Sequence, residues 1–258
     1  MTDRRSHSSS SASPITVANS PADWPFPGRW VGGVCLILGP ILLLTGALLR
    51  IQFHFFAPPQ LQAFEAHPHL VTAAYGTYSV GAVTLCLGIL TFVHRIAVWN
   101  RTWAFWGGTL AVLGLFNRIF SAGVDHMAFQ MVTVLGADQA FAVVSDTYRG
   151  FHVFRSANPA TMLGWPVMAI GAWRAGVLGP VRAVSLSLMF MLPFGTLKGT
   201  EVRSIAILGL CAALVPLGVR ILREGPPLSL RARFWVIVCV LTNVTGIVLG
   251  RIFPVLMN

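Results

Sequence analysis

Residues 68–93 read PHLVTAAYGTYSVGAVTLCLGILTFV, a run of 26 positions without a single Asp, Glu, Lys or Arg. A helix of that length reaches about 39 Å, more than the roughly 30 Å hydrocarbon core of a bilayer. Working outward, comparable runs occupy residues 30–50, 102–124, 158–174, 180–198, 203–222 and 233–256. The whole chain of 258 residues is 55% hydrophobic and only 10% charged, with a mean hydropathy of +0.72. Soluble domains carry about 25% charged residues, so too few remain here to build a polar shell. The expected fold is all-α: a polytopic membrane bundle of seven transmembrane helices.

Basic residues orient the bundle. With the N-terminus cytoplasmic, eleven of the 18 basic residues fall on the inner side, including Arg29, Arg95, Arg101, Arg174, Arg182, Arg220 and Arg223. The outer side receives Arg50, Arg149, Arg155, Lys198, Arg203 and Arg251, and five of the eight acids. This asymmetry follows the positive-inside rule and places the C-terminus outside the cell. The net charge of +10 is therefore a matter of topology and not of nucleic-acid binding. The expected location is the inner (plasma) membrane, and the lipid bilayer is the expected partner.

Residues 1–28, rich in Ser, Pro and Ala, lack apolar periodicity and read as a disordered cytoplasmic tail. The first apolar run is too long for a signal-peptide core. The remaining chain, 29–258, is the membrane domain. Within it, Phe141, Val144, Tyr148 and Phe151 recur at helical spacing, predicting an amphipathic helix on the outer surface over about 138–155. No internal repeat stands out. Cys35, Cys86, Cys211 and Cys239 all lie inside apolar runs and predict no disulfide framework.

Polar chemistry collects on the outer side. Glu65, His67 and His69 surround Pro68 at the mouth of the second span, followed by the small polar stripe Thr72, Gly76 and Ser79. On the third span, Asn117, Arg118, Ser121 and Asp125 project from one helix side, with His126 beside them. An arginine inside an apolar span costs a few kcal/mol and normally faces a partner or a wet cavity. Arg118 is therefore the strongest site signal in the chain. A third cluster, Asp146, Arg149, His152 and Arg155, lies where the chain re-enters the membrane.

Glu65, Asp125 and His126 are the expected acid–base groups, with Arg118 tuning Asp125. His67, His69 and His152 are candidate ligands for zinc, iron or copper, or for heme, although no HExxH spacing or heme motif is present. P-loop and dinucleotide fingerprints are absent, so neither ATP nor NAD is expected. The preferred reading is a membrane-embedded enzyme doing isomerase- or cyclase-like acid–base chemistry, or metal-assisted chemistry, on a lipid-soluble substrate. The alternatives are a non-catalytic small transporter, an immunity or accessory membrane protein, and a heme-binding membrane protein.

Overall fold

The computed structural model describes residues 26–54, 58–148, 156–192 and 200–224, together with 227, 230, 234, 238, 241 and 242. Eight α-helices are seen among them: α1 (Arg29–Leu49), α2 (Pro59–Ala66), α3 (Pro68–Ala97), α4 (Arg101–Leu135), α5 (Ala137–Tyr148), α6 (Asn158–Arg174), α7 (Pro180–Ser187) and α8 (Thr200–Arg223). A 3-10 turn, Leu188–Met191, continues α7. No strand occurs among the described residues. Four helices, α1, α3, α4 and α8 from Glu201, are long and apolar enough to cross a membrane. The expected tail falls almost wholly outside the described residues, and so does most of the expected seventh span.

Local sequence sets the helix ends. Proline occupies the first turn of α2, α3, α6 and α7, where its missing N–H costs nothing. The Asn100 side chain caps α4 by accepting from the Trp103 amide at 3.2 Å. Gly136, at φ +80°, closes α4 and starts α5 at once.

Two spans differ from their expected limits. The third apolar run was expected to end at 124, with an outer loop from 125. Instead α4 runs unbroken for 35 residues, about 52 Å, because no Gly or Pro interrupts it between Gly123 and Gly136. Asp125 and His126 are thus mid-helix residues. The fifth run was expected to reach 198; α7 ends at Ser187 and passes into the 3-10 turn at Leu188–Met191, and residues 193–199 lie outside the described residues. The fourth apolar run, 158–174, coincides with α6 residue for residue, although α6 is not among the four helices long and apolar enough to cross a membrane.

Lipid offers helices no hydrophobic reason to associate, so membrane bundles rely on close packing at small residues. α1 lies antiparallel on α3, and α4 antiparallel on α6. A Cβ at Gly81 would come within 2.7 Å of the Leu43 amide nitrogen, and one at Gly46 within 2.7 Å of the Ala74 carbonyl oxygen. On the other pair, a Cβ at Gly164 would sit 2.6 Å from the Ala111 nitrogen. These backbones touch directly.

The buried apolar residues form two separate cores. The larger, with Leu36, Leu85, Ile89, Phe92, Trp165 and Ile207, fills the space between α1, α3, α4, α6, α7 and α8. The smaller joins Leu61 and Phe64 of α2 to Val71 of α3, Phe129 and Val132 of α4, and Ala140 of α5. It forms a cap on one end of the bundle.

Gly81→Ala is expected to lower the protein's stability by about 2 kcal/mol, the scale of overpacking. Gly76 has nothing within 4 Å of its added Cβ, so Gly76→Ala is expected to leave the unfolding temperature unchanged or slightly raised. Thermal unfolding of the purified full-length variants checks both.

Candidate functional site

Polar residues fill the layer between the two cores. Arg50 ends α1 and is 6% exposed, with its guanidinium carbon 4.5 Å from the centre of the Tyr75 ring. Tyr75 is fixed from its other side by an edge-on contact to Phe129, centroids 4.8 Å apart. Phe129 in turn stacks on Phe64 at 4.7 Å. One helical turn along α3, the Tyr78 hydroxyl accepts from Arg203 of α8 at 3.1 Å, and the Arg203 guanidinium also lies over the Tyr78 ring. Arg203 is 4% exposed.

Asp125 of α4 enters this layer. Gln60 of α2 lies beside its carboxyl and donates to the Tyr75 hydroxyl. Arg50, Arg203 and Arg118 all lie close enough to act on Asp125 electrostatically, and Arg118 acts on Tyr78 as well. Five elements of the fold, spread from residue 50 to 203, therefore meet in one cluster. It contains three guanidiniums, one carboxyl, two phenols and one amide.

Of the chain's eight acids, Asp3 and Asp23 precede the described residues. Glu65, Asp138, Asp146 and Glu201 are exposed, and Glu224 pairs with Arg95. Asp125 lies within electrostatic reach of Arg50, Arg118 and Arg203, and guanidiniums gathered in this way suit an anionic group.

Small cavities flank the cluster. One borders Arg118, Tyr78 and Thr161 against Leu43 and Trp165; the other borders Arg50, His54, Gln60 and Tyr75. Each offers about 10 Å³, room for about one water.

Of the residues expected from sequence, Arg118 and Asp125 come together here. Glu65 works elsewhere: its Oε1 accepts from the Ala137 amide at 3.3 Å, at the N-terminus of α5, where a carboxylate is favoured. His126 is exposed on α4. His67 and His69 are exposed too, and the His67 ring lies 5.7 Å from Phe53. Among the described residues no three His, Cys, Asp or Glu side chains are grouped to hold a metal ion. His152 lies outside the described residues. His69, Thr72 and Gly76 of the expected polar stripe are exposed, and Ser79 is half-buried and bonds back to the Tyr75 carbonyl at 2.8 Å.

Asn117 has a different task from its neighbours on α4. It is 6% exposed, and its amide donates to Asn158 Oδ1 at 2.9 Å and to Thr161 Oγ1 at 3.2 Å. That bond pair ties α4 to α6. Ser121 simply bonds back to the Asn117 carbonyl at 2.9 Å.

Sequence reasoning passed over Arg50, Gln60, Tyr75, Tyr78 and Arg203. A signal existed for the tyrosines. The chain holds only three, and two of them sit three residues apart on one span. Arg50 and Arg203 read as ordinary outer-loop charges, and Gln60 carried no signal at all.

No family model, curated protein or solved structure matches this chain. The cluster's own chemistry is therefore the guide to function.

Asn117→Ala is expected to destabilise the protein by about 1–2 kcal/mol, because it strands Asn158 and Thr161 while leaving the charged layer intact. Thermal unfolding should register the loss. Asn117→Asp, which removes the amide donor and adds a charge, should cost more.

Proposed function

We propose that this chain is a seven-span inner-membrane enzyme, N-terminus cytoplasmic and C-terminus outside, that moves a proton on a lipid-soluble substrate with an anionic group. The support for the orientation is the basic-residue asymmetry, eleven inner against six outer. The ends of α1, α3, α4, α6 and α8 alternate in the same sense, so Arg50, Arg203 and the α2–α5 cap share the outer end. The last span, residues 233–256, lies mostly outside the described residues and rests on composition.

The observation that carries the chemistry is the gathering of Arg50, Gln60 and Arg203 on the paired tyrosines Tyr75 and Tyr78, within electrostatic reach of Asp125. Guanidiniums match carboxylate and phosphate oxygens in pairs. They would hold the anionic group at the outer end while the rest of the substrate stays in the bilayer. Asp125 is the cluster's only carboxyl, and so the group that takes or gives the proton. Gln60 orients it, and the two tyrosines hold the arginines in place. Such positioned acid–base groups contribute about 10²–10⁴-fold in rate. One-water cavities suit proton exchange better than passage of a solute, which favours the enzyme over the transporter. Entry of a larger group requires α2 to separate from the bundle end.

The test compares lipid extracts of cells producing the wild-type protein or Asp125→Asn, resolved by chromatography and mass spectrometry. The expected result is a lipid-soluble species that changes with the wild type, with about 100-fold or greater loss of that conversion in the variant. Membrane levels of the two proteins should be equal. Failure of Asp125→Asn to accumulate, with recovery in the Arg118→Gln/Asp125→Asn double variant, would show a structural ion pair instead.

A further inference from the structure

The opposite end of the bundle carries a second, much larger feature. A cleft of about 560 Å³ opens between the C-terminal ends of α3, α6 and α8. It is lined by Arg95, Arg174, Arg220 and Glu224, with Trp99 at its edge and Leu217 at its floor. That volume is in the range of small-molecule sites. Glu224 is shared, pairing with Arg95 and lying 3.3 Å from the Arg220 Nε. The Arg174 guanidinium lies over the Trp103 ring, 5.3 Å from its centre.

Glu224 is the one carboxylate among the residues lining the cleft, against the guanidiniums of Arg95, Arg174 and Arg220. Trp99 and Val98 stand 75% and 65% exposed beside the cleft. An exposed Trp next to arginines at helix ends belongs to the membrane–water boundary, where an indole rests among headgroups. Basic pockets between helix ends on this side of a membrane are suited to anionic lipid heads.

We infer that this cleft is a binding site for a phosphate-bearing anion, held by Arg174 and Arg220 alongside the Arg95–Glu224 pair. The phosphate could arrive on a lipid headgroup or on a soluble molecule, and the shared chemistry is the phosphoryl oxygens. The site is separate from the Asp125 cluster and stands without it.

The test uses the purified full-length protein in a neutral detergent, titrated with phosphatidylglycerol or with phosphatidylcholine of the same acyl chains and followed by native mass spectrometry. Wild-type protein is expected to retain phosphatidylglycerol about tenfold more tightly, or better. Arg174→Gln/Arg220→Gln should cut that preference to about threefold or less. Glu224→Gln, which removes the only carboxylate, should keep or increase it, and Asp125→Asn should leave it unchanged. Inorganic phosphate and glycerol phosphate form the second arm. Saturable stabilisation of wild-type protein by either, lost in the double variant, would assign the site to a soluble phosphate. Stabilisation by the lipid alone would assign it to a headgroup. Equal retention of the two lipids by wild-type protein together with no response to phosphate would overturn the inference, as would full preference in the double variant.

Discussion

Direct backbone contact between α1 and α3 is the constraint on which the rest depends. Gly46 has no room for a Cβ against Ala74 and Tyr78, and Gly81 has none against Leu43. Any side chain at these points would push the helices apart or slide one along the other. The register they set puts Arg50, four residues beyond Gly46, over the Tyr75 ring. The same contact holds Tyr78 where Arg203 can reach it from α8. Packing at three or four glycines therefore decides where the charges meet. On the other side of the bundle, Gly107, Gly114 and Gly164 do the same for α4 on α6, and so set the depth of Arg118 and Asp125.

The polar layer exists because the bundle has two cores. α4 is too long for one bilayer crossing, and its last turns pack with α2 and α5 into a cap. Between cap and bundle lies a layer where polar side chains meet. Arg50, Gln60, Tyr75, Asp125 and Arg203 fill it from five elements of the fold. Tertiary structure thus gathers charges that lie far apart in the sequence. The molecule is asymmetric in a useful way: one end holds a tight cluster beside one-water cavities, and the opposite end an open basic cleft.

Much of the fold was legible because long apolar runs have few interpretations. Residues 68–93 read as one continuous span, and α3 covers them all. Pro68 opened its helix as expected, and the run at 158–174 returned as α6 unchanged. The cap was not legible. Residues 125–135 include His126, Gln130 and Thr133, which read as loop polarity, yet Phe129 and Val132 find partners on α2 and α5 and keep the helix going. The site was half legible. Arg118 and Asp125 declared themselves because charge within apolar sequence is expensive. Arg50 and Arg203 did not, since an arginine at the end of a span is ordinary and only the three-dimensional register turns it inward. His67, His69 and His126, conspicuous in sequence, are exposed in the structure. Glu65 serves instead as a cap for α5.

The central claim is that the outer cluster binds an anion and is not merely interhelical glue. The direct measurement is calorimetric titration of the full-length protein, in nanodiscs of neutral lipid, with oleate and with oleyl alcohol. These probes share a chain and differ in a single anionic head. The account predicts saturable oleate binding about tenfold or more tighter than that of the alcohol, abolished by Arg203→Gln or Arg50→Gln and retained in Arg174→Gln/Arg220→Gln. Equal binding of the two probes, or oleate binding indifferent to Arg50 and Arg203, would contradict it.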